Sequence, residues 1–192
     1  MLYSNITFTK KRHIAYLTIK HPEAKHGINQ EVAWEISDVC RQISRDDEIY
    51  VVVVTGAGST FCEGSELALA ESGFGPAAAI AGIGCPVIAA INGDAIGEGL
   101  EIALSCDIRI ASDKARFGLP QVSEGSMPVD GGTQRLARIV GKAKALEMLF
   151  TAETIGAAEA LAIGLVGKVV QNEKLAVEVD ELAKTMASKG PV

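Results

Sequence analysis

The sequence has few aromatic residues, few histidines and no excess of positive charge. Aromatic residues make up 5% of the 192, and 18 Lys plus Arg stand against 24 Asp plus Glu, for a net charge of −6. An acidic chain is poorly suited to bulk nucleic acid or an anionic membrane surface, so we expect neither partner. No apolar run approaches the roughly 18 residues of a membrane span. The N-terminal residues do not resemble a signal peptide, and we expect none.

Cysteine and histidine patterns also exclude several kinds of site. The cysteines share no metal-type or redox spacing, and each lies in or beside an apolar run. We therefore predict buried thiols in a reducing compartment, which favours a cytoplasmic location. No histidine has a partner at metal-ligand spacing, so no metal site is predicted. The residues concerned are Cys40, Cys62, Cys85, Cys106, His13, His21 and His26.

Strand-like and helix-like segments alternate along the chain. Tyr50–Thr55 is too continuously apolar for a half-exposed strand, which indicates burial on both faces. Asn29 can cap a helix whose apolar residues recur at helical spacing. This alternation predicts an α/β fold in one domain, with crossover connections between buried strands. Further strands are expected at 6–9, 13–20, 85–92, 107–111 and 165–170, and helices at 134–150 and 175–186.

Three glycine-rich stretches carry the candidate chemistry, namely Thr55–Leu67, Ile91–Asp107 and Phe117–Leu136. Taken singly they are weak signals, because glycine-rich turns are common where strands meet helices. They lack the spacing of a dinucleotide fingerprint and of a phosphate-binding loop. Ser65 does not lie in a nucleophile elbow. The order of the three stretches is more specific than any one of them.

Together they resemble the crotonase superfamily, the enoyl-CoA hydratase/isomerase family. The matching segments are FCEGSEL, NGDAIGEGLEIALSCDIRIAS, FGLPQ, GGTQRLARIVGKAKALEMLFTAETI and AAEALAIGLVGKVV. The resemblance covers essentially the whole chain and implies a single crotonase-like domain over 1–192, built as a ββα spiral with surrounding helices. It also implies that the family's C-terminal helical region is largely missing here, and that the chain assembles as a homotrimer or a pair of trimers.

The resemblance further implies an acyl-CoA thioester substrate, with coenzyme A as part of the substrate and no separate cofactor. The backbone N–H groups of Ser65 and Glu98 would hold the thioester oxygen as negative charge develops on it. Glycines at these turns would let the backbone approach the ligand closely. The expected substrate-binding and CoA-binding residues are Ala24, Lys25, Gly27, Gly64, Ser65, Glu66, Leu67, Gly97 and Glu98.

Glu101 matches the first of the two acid/base glutamates in family hydratases, whereas the second falls on Gln121. An amide can orient water but cannot exchange a proton near neutral pH. Glu124 or Asp130 would be an additional acid/base group, although each is also an ordinary loop carboxylate. Glu98 replaces a glycine that is usual in hydratases, so its side chain needs a place of its own.

The sequence therefore predicts an enoyl-CoA hydratase that adds water across the 2,3 double bond, with Glu101 as its acid/base group. Another crotonase reaction, such as isomerisation, dienoyl-CoA hydration or decarboxylation, is the first alternative. The second is a non-catalytic acyl-CoA-binding paralogue that retains the oxyanion turns. Gln121 favours this binding role, and Glu101 with both glycine turns opposes it.

Overall fold

The computed structural model describes residues 3–20, 27–64 and 75–190. The strands in these ranges are β1 Ile6–Lys11, β2 Ile14–Ile19, β3 Val51–Gly56, β4 Cys62–Glu63, β5 Val87–Ile91, β6 Ala95–Ile96, β7 Ile108–Ser112, β8 Arg116–Gly118, β9 Ile155–Gly156 and β10 Lys168–Val170. The helices are α1 Gln30–Ile43, α2 Pro76–Ala81, α3 Glu98–Ser105, a 3₁₀ helix Pro120–Glu124, α4 Gly132–Val140, α5 Lys142–Thr151, α6 Ala157–Ala162 and α7 Asn172–Ala187.

The larger sheet has the order β1-β2-β3-β5-β7-β10, antiparallel at β1-β2 and parallel elsewhere. Side chains alternate across its faces because successive residues of a strand point to opposite sides. Val52 and Val54 of β3 join the core that contains the apolar face of α1. Val51 and Val53 face the other way, into a core with α7. The predicted burial of this strand on both faces is confirmed.

Polar contacts hold the carboxyl end of β3 against β5. Thr55 Oγ1 donates to the Ala90 carbonyl at 2.8 Å, and the Gly56 N–H donates to Asn92 Oδ1 at 3.1 Å. Asn92 Nδ2 in turn donates to the carbonyls of Gly58 and Thr60. These bonds position the loop that leads from β3 into β4.

The smaller sheet, in the order β4-β6-β8-β9, turns the chain into a spiral. Strands β3, β5 and β7 of the larger sheet each continue into a short strand of the smaller sheet, namely β4, β6 and β8. A helix follows in the chain, α3 after β6 and α4 after β8. This repeated strand–strand–helix unit is the ββα spiral that the sequence predicts. It places the ends of β4 and β6 side by side, with the candidate site between them.

Helix α1 follows the sequence prediction closely, whereas the helical stretch predicted over 134–150 does not. Asn29 Oδ1 accepts from the Val32 N–H at 2.9 Å, so Asn29 caps α1 as predicted. The single helical stretch predicted over 134–150 is wrong, because the structure divides it at Gly141 into α4 and α5. Gly141 has a φ of 82°, in a left-handed region that a continuous right-handed helix cannot contain.

The cysteines are free thiols, with Cys40, Cys62 and Cys106 buried and Cys85 partly buried. Burial is also the first cause that raises the pKa of the Cys40 thiol to about 12, so that thiol stays protonated near neutral pH. Among the described helices, none combines the length and apolar character needed to cross a bilayer.

Candidate active site

Two glycine turns form the floor of the candidate site. Gly64 directly follows β4 with a φ of 73°, and Gly97 directly follows β6 with a φ of 59°. The Gly64 N–H donates to the Ile96 carbonyl at 2.8 Å, and its carbonyl accepts from the Ile28 N–H at 3.1 Å. A Cβ at residue 97 would lie 3.3 Å from Gly64 Cα, so the two backbones approach closely. Glycine provides both the left-handed conformation and this space.

Glu98 is the first residue of α3 and directly follows the Gly97 turn. The N–H groups of a first helical turn have no acceptor within their own helix, and the helix dipole makes that end positive. The Glu98 N–H therefore has the character of an oxyanion donor. The second proposed oxyanion donor, the N–H of Ser65, lies outside the described residues. Ala24, Lys25, Glu66 and Leu67 lie outside them as well. Gly27 is described, and a Cβ there would lie 3.5 Å from the Glu63 carbonyl, beside the same turn.

Glu101 lies one turn further along α3 and is only 1% exposed. Its Oε1 accepts from the N–H of Asp130 at 2.8 Å and from the N–H of Gly132 at 2.7 Å. Glu101 thus joins α3 to the start of α4. Burial raises the pKa of Glu101, and the N–H groups of Gly132 and Asp130 oppose that rise. A buried carboxylate with a raised pKa suits a general base near neutral pH.

Gln121 lies in the 3₁₀ helix and reaches the same turns. Its Nε2 would lie 3.7 Å from a Cβ placed at Gly97. Its Oε1 is buried and has no hydrogen-bond partner within the described parts of the chain. Buried acceptors in native proteins are nearly always satisfied, by protein, water or ligand. The Gln121 oxygen is therefore suited to accept a hydrogen bond from a water or a substrate in the site.

Asp130 precedes α4 and contacts the start of α2. Its Oδ2 accepts from the Ala77 N–H at 2.6 Å, and its Oδ1 accepts from the Ala78 N–H at 3.0 Å. A Cβ at Gly75 would come within 2.0 Å of the Asp130 carboxyl, so the approach of these two segments requires glycine at residue 75. Asp130 is 7% exposed. Its carboxylate therefore caps α2 while its own N–H binds Glu101.

The Glu98 side chain is buried beside this arrangement, at 2% exposure. Burial, the charge of Glu101 and the Asp130 carboxyl raise the pKa of Glu98 well above its ordinary value. Glu98, Glu101 and Asp130 form what we call the carboxyl cluster, at the adjoining N-terminal ends of α2, α3 and α4. The sequence indicated each member separately. Their contact has no signal in the spacing, because Asp130 is far from α3 along the chain.

Other candidate carboxylates lie apart from this cluster. Glu124 is exposed at the end of the 3₁₀ helix. Asp94 forms an ion pair with Arg116. Arg135 was not predicted from the sequence; its Nη1 donates to the Asp130 carbonyl at 2.6 Å, and its charge opposes the rise in the pKa of Glu101. No group of three His, Cys, Asp or Glu in the described ranges has an arrangement that would hold a metal ion.

Comparison with known proteins identifies related sequences over nearly the full length. The family model for enoyl-CoA hydratase/isomerase matches residues 9–192. A crotonyl-CoA hydratase of Syntrophomonas wolfei is 40% identical, over 99% of this chain and 78% of its own length. A short-chain-enoyl-CoA hydratase of Clostridium acetobutylicum is 42% identical, over 100% of this chain and 78% of its own length.

Solved structures agree with the fold described above. Enoyl-CoA hydratase from Bacillus anthracis has a TM-score of 0.88 at 32% identity, covering 96% of this chain and 77% of that one. Pseudomonas aeruginosa DspI has a TM-score of 0.91 at 37% identity, covering 97% of this chain and 76% of that one. The crotonase-like fold predicted from the sequence is confirmed.

Proposed function

Because the chain belongs to the enoyl-CoA hydratase/isomerase family, we propose that it is an enoyl-CoA hydratase that acts on short-chain enoyl thioesters. The observation that carries this proposal is the Glu101 carboxyl, buried and fixed through Oε1 one helical turn beyond Glu98. The two relatives described above have short-chain or crotonyl-CoA hydratase names, which supports the same substrate class.

The proposed reaction combines an oxyanion site with a base. Attack of water at C3 moves negative charge onto the thioester oxygen, where the N–H groups of Ser65 and Glu98 would stabilise it. One such donor contributes about 10²–10³ in rate. Glu101 would remove a proton from the water as the O–C3 bond forms, and Gln121 Oε1 would orient that water. The α-carbon must then receive a proton, which an amide at residue 121 cannot supply.

Coenzyme A enters this scheme as the carrier of the acyl group, without a separate cofactor. We propose that Ala24, Lys25 and Gly27 contact it, together with Ser65, Glu66 and Leu67. Among these residues Gly27 is described, and it lies beside the Gly64 turn. We also propose a cytoplasmic location, where acyl-CoA thioesters are available to the enzyme.

The first test is hydration of crotonyl-CoA by the wild-type chain. We expect loss of enoyl-thioester absorbance with formation of 3-hydroxybutyryl-CoA, identified by mass spectrometry. Isothermal titration with butyryl-CoA measures binding in the same preparation. Binding without turnover of crotonyl-CoA would contradict the hydratase proposal and favour the acyl-CoA-binding role. Conversion to a product of unchanged mass would instead indicate isomerisation.

We further propose that the chain forms a homotrimer, alone or as a pair of trimers. Large apolar side chains are exposed on the face formed by the 3₁₀ helix, the loop after it and α5. Such a cluster on a soluble surface is typical of a contact with another protein. It borders an apolar groove of about 290 Å³. The exposed residues are Val122, Met127, Val129, Leu146 and Phe150.

Phe150→Glu tests this face, because Phe150 is 71% exposed and a charge there would be buried in an assembly. We expect light scattering after size exclusion to give a trimer or hexamer for wild type and a shift to monomer for Phe150→Glu. Val177→Glu, on the exposed side of α7, is the matched control and should leave the mass unchanged. A monomeric wild type, or equal effects of both variants, would contradict the proposed interface.

A further inference from the structure

The Glu98 carboxyl is buried among other negative charges. Its Oε1 has no hydrogen-bond partner in the described residues, and the charges of Glu101 and Asp130 act on it. A buried carboxylate oxygen without a donor is unfavourable, and nearby negative charge adds to that cost. Protonation of Glu98 removes both penalties, because the neutral acid carries no charge and gains an O–H donor.

The hydrogen-bond partners of Glu98 and Asp130 differ. Both oxygens of Asp130 accept backbone N–H groups, from Ala77 and Ala78. Glu98 Oε1 has no such donor, and burial with nearby negative charge raises the pKa of Glu98, which favours its neutral form. Glu98 is therefore an acid in the folded chain.

The groups that face Glu98 come from four elements. Glu101 lies on its own helix, Asp130 on the loop before α4, the Ala77 N–H on α2 and the Cys62 thiol on β4. Among these groups, only the Ala77 N–H opposes the rise in the pKa of Glu98. Arg135 of α4 donates to the Asp130 backbone and acts on Glu101. No cation in the described residues forms an ion pair with Glu98, so its proton is not replaced by a salt bridge.

We propose that Glu98 is the acid that protonates the α-carbon of the substrate, the role that Gln121 cannot perform. This inference rests on the proposed function. Glu98 carries both the proposed oxyanion N–H and this carboxyl. The distance from the acid to the bound thioester is therefore limited by the length of the Glu98 side chain. Glu98 is as buried as Glu101, the proposed base.

The step balances in protons and electrons. A water O–H bond breaks, its proton goes to Glu101, and the oxygen forms the bond to C3. The electron pair of the double bond moves to the enolate held by the oxyanion N–H groups. That pair then forms the Cα–H bond with the proton of Glu98, leaving Glu98 ionised. Transfer of the proton from Glu101 back to Glu98 restores the starting state with no net gain or loss.

Glu98→Gln tests the acid role, because glutamine keeps the backbone N–H and the side-chain size but cannot release a proton. We expect kcat for crotonyl-CoA to fall by about 10²–10⁴ with KM nearly unchanged. Adding Gln121→Glu should restore much of that loss in the double variant. A Glu98→Gln enzyme with wild-type kcat would overturn the proposal, as would a loss that Gln121→Glu leaves unchanged.

Exchange of the α-protons of butyryl-CoA in D₂O separates this role from hydration, because it needs no addition at C3. Removal of an α-proton is the reverse of the Glu98 step, so it uses the form in which Glu98 is ionised and Glu101 holds the proton. We expect wild type to catalyse the exchange, followed by NMR, and Glu98→Gln to lose it. Exchange without hydration would contradict the hydratase proposal and support the acid role. If wild type hydrates crotonyl-CoA and both proteins exchange the α-protons at the same rate, the acid role is contradicted and the hydratase proposal stands. A wild type that catalyses neither would overturn both.

Thermal unfolding against pH reports the proton of Glu98 without any substrate. The pKa of Glu98 is raised above its ordinary 4.5 in the folded chain. Folded Glu98 therefore keeps its proton at pH values where unfolded Glu98 releases it. Rising pH therefore favours the unfolded state over this window, until folded Glu98 also ionises. We expect the Tm of wild type to fall relative to that of Glu98→Gln as pH rises from 4.5. A constant difference between the two proteins would show that Glu98 is ionised when folded and would overturn the proposal.

Discussion

Glu101→Gln is expected to lower kcat for crotonyl-CoA hydration by about 10²–10⁴ while the protein stays folded. Glutamine still presents an oxygen to the N–H groups of Asp130 and Gly132, so the link between α3 and α4 is kept. It cannot take a proton from water, so the base is lost. Steady-state kinetics should show the loss in kcat, with KM changed little.

Two further variants separate catalysis by Glu101 from its structural role. Glu101→Ala leaves two buried N–H groups without their acceptor, which costs about 1–3 kcal/mol for each group. We expect this variant to lose both activity and stability. Asp94→Asn removes a carboxylate that pairs with Arg116 instead, and it should keep kcat within about twofold of wild type, as is usual for surface ion pairs. A Glu101→Gln enzyme with wild-type kcat would show that Glu101 only caps α4.

Gly99→Ala is expected to have a large effect on stability. A Cβ at residue 99 would lie 1.9 Å from the Cys62 carbonyl oxygen and 2.7 Å from its carbon, both backbone atoms of β4. A backbone cannot rotate away as a side chain can, so α3 and β4 must separate. We expect a loss of about 3 kcal/mol or more in the free energy of unfolding. That movement also displaces the Glu98 N–H from the Gly64 turn, so activity should fall with stability.

Gly84→Ala is the matched control for this overpacking. Gly84 is exposed, has nothing within 4 Å of its would-be Cβ and does not require a left-handed φ. Its replacement should change the free energy of unfolding by less than about 1 kcal/mol. Urea unfolding of the three proteins measures both effects. Equal midpoints for Gly99→Ala and wild type would contradict the close approach of α3 to β4.

The sequence was informative where a physical signal is local. Asn29 precedes an amphipathic repeat and caps α1, and the valine run of β3 predicts a strand covered on both sides. The break at Gly141 was missed because apolar spacing continues across it, whereas the φ of that glycine ends the helix. The site was predictable in its turns, since Gly64 and Gly97 lie in motifs with a fixed order.

The internal contacts of the carboxyl cluster were not predictable in this way. The bond from Asp130 N–H to Glu101 depends on how α4 meets α3, which no spacing along the chain encodes. The same holds for Asp130 and the start of α2. Substitutions relative to a family pattern identified Glu98 as a residue in need of an explanation. Only the packing of three helices shows which carboxyls lie near it.

The two-sided burial of β3 has a consequence for how the chain finds its pairing during folding. Where one face of a strand is polar, a shift by one residue exposes apolar side chains and is strongly disfavoured. In β3, such a shift would replace valine by valine on both faces, so burial alone discriminates weakly between the two alignments. The bonds of Thr55 and Gly56 to the β5 end then select the native one. The polar end of an apolar strand thereby fixes where Gly64 meets Gly97.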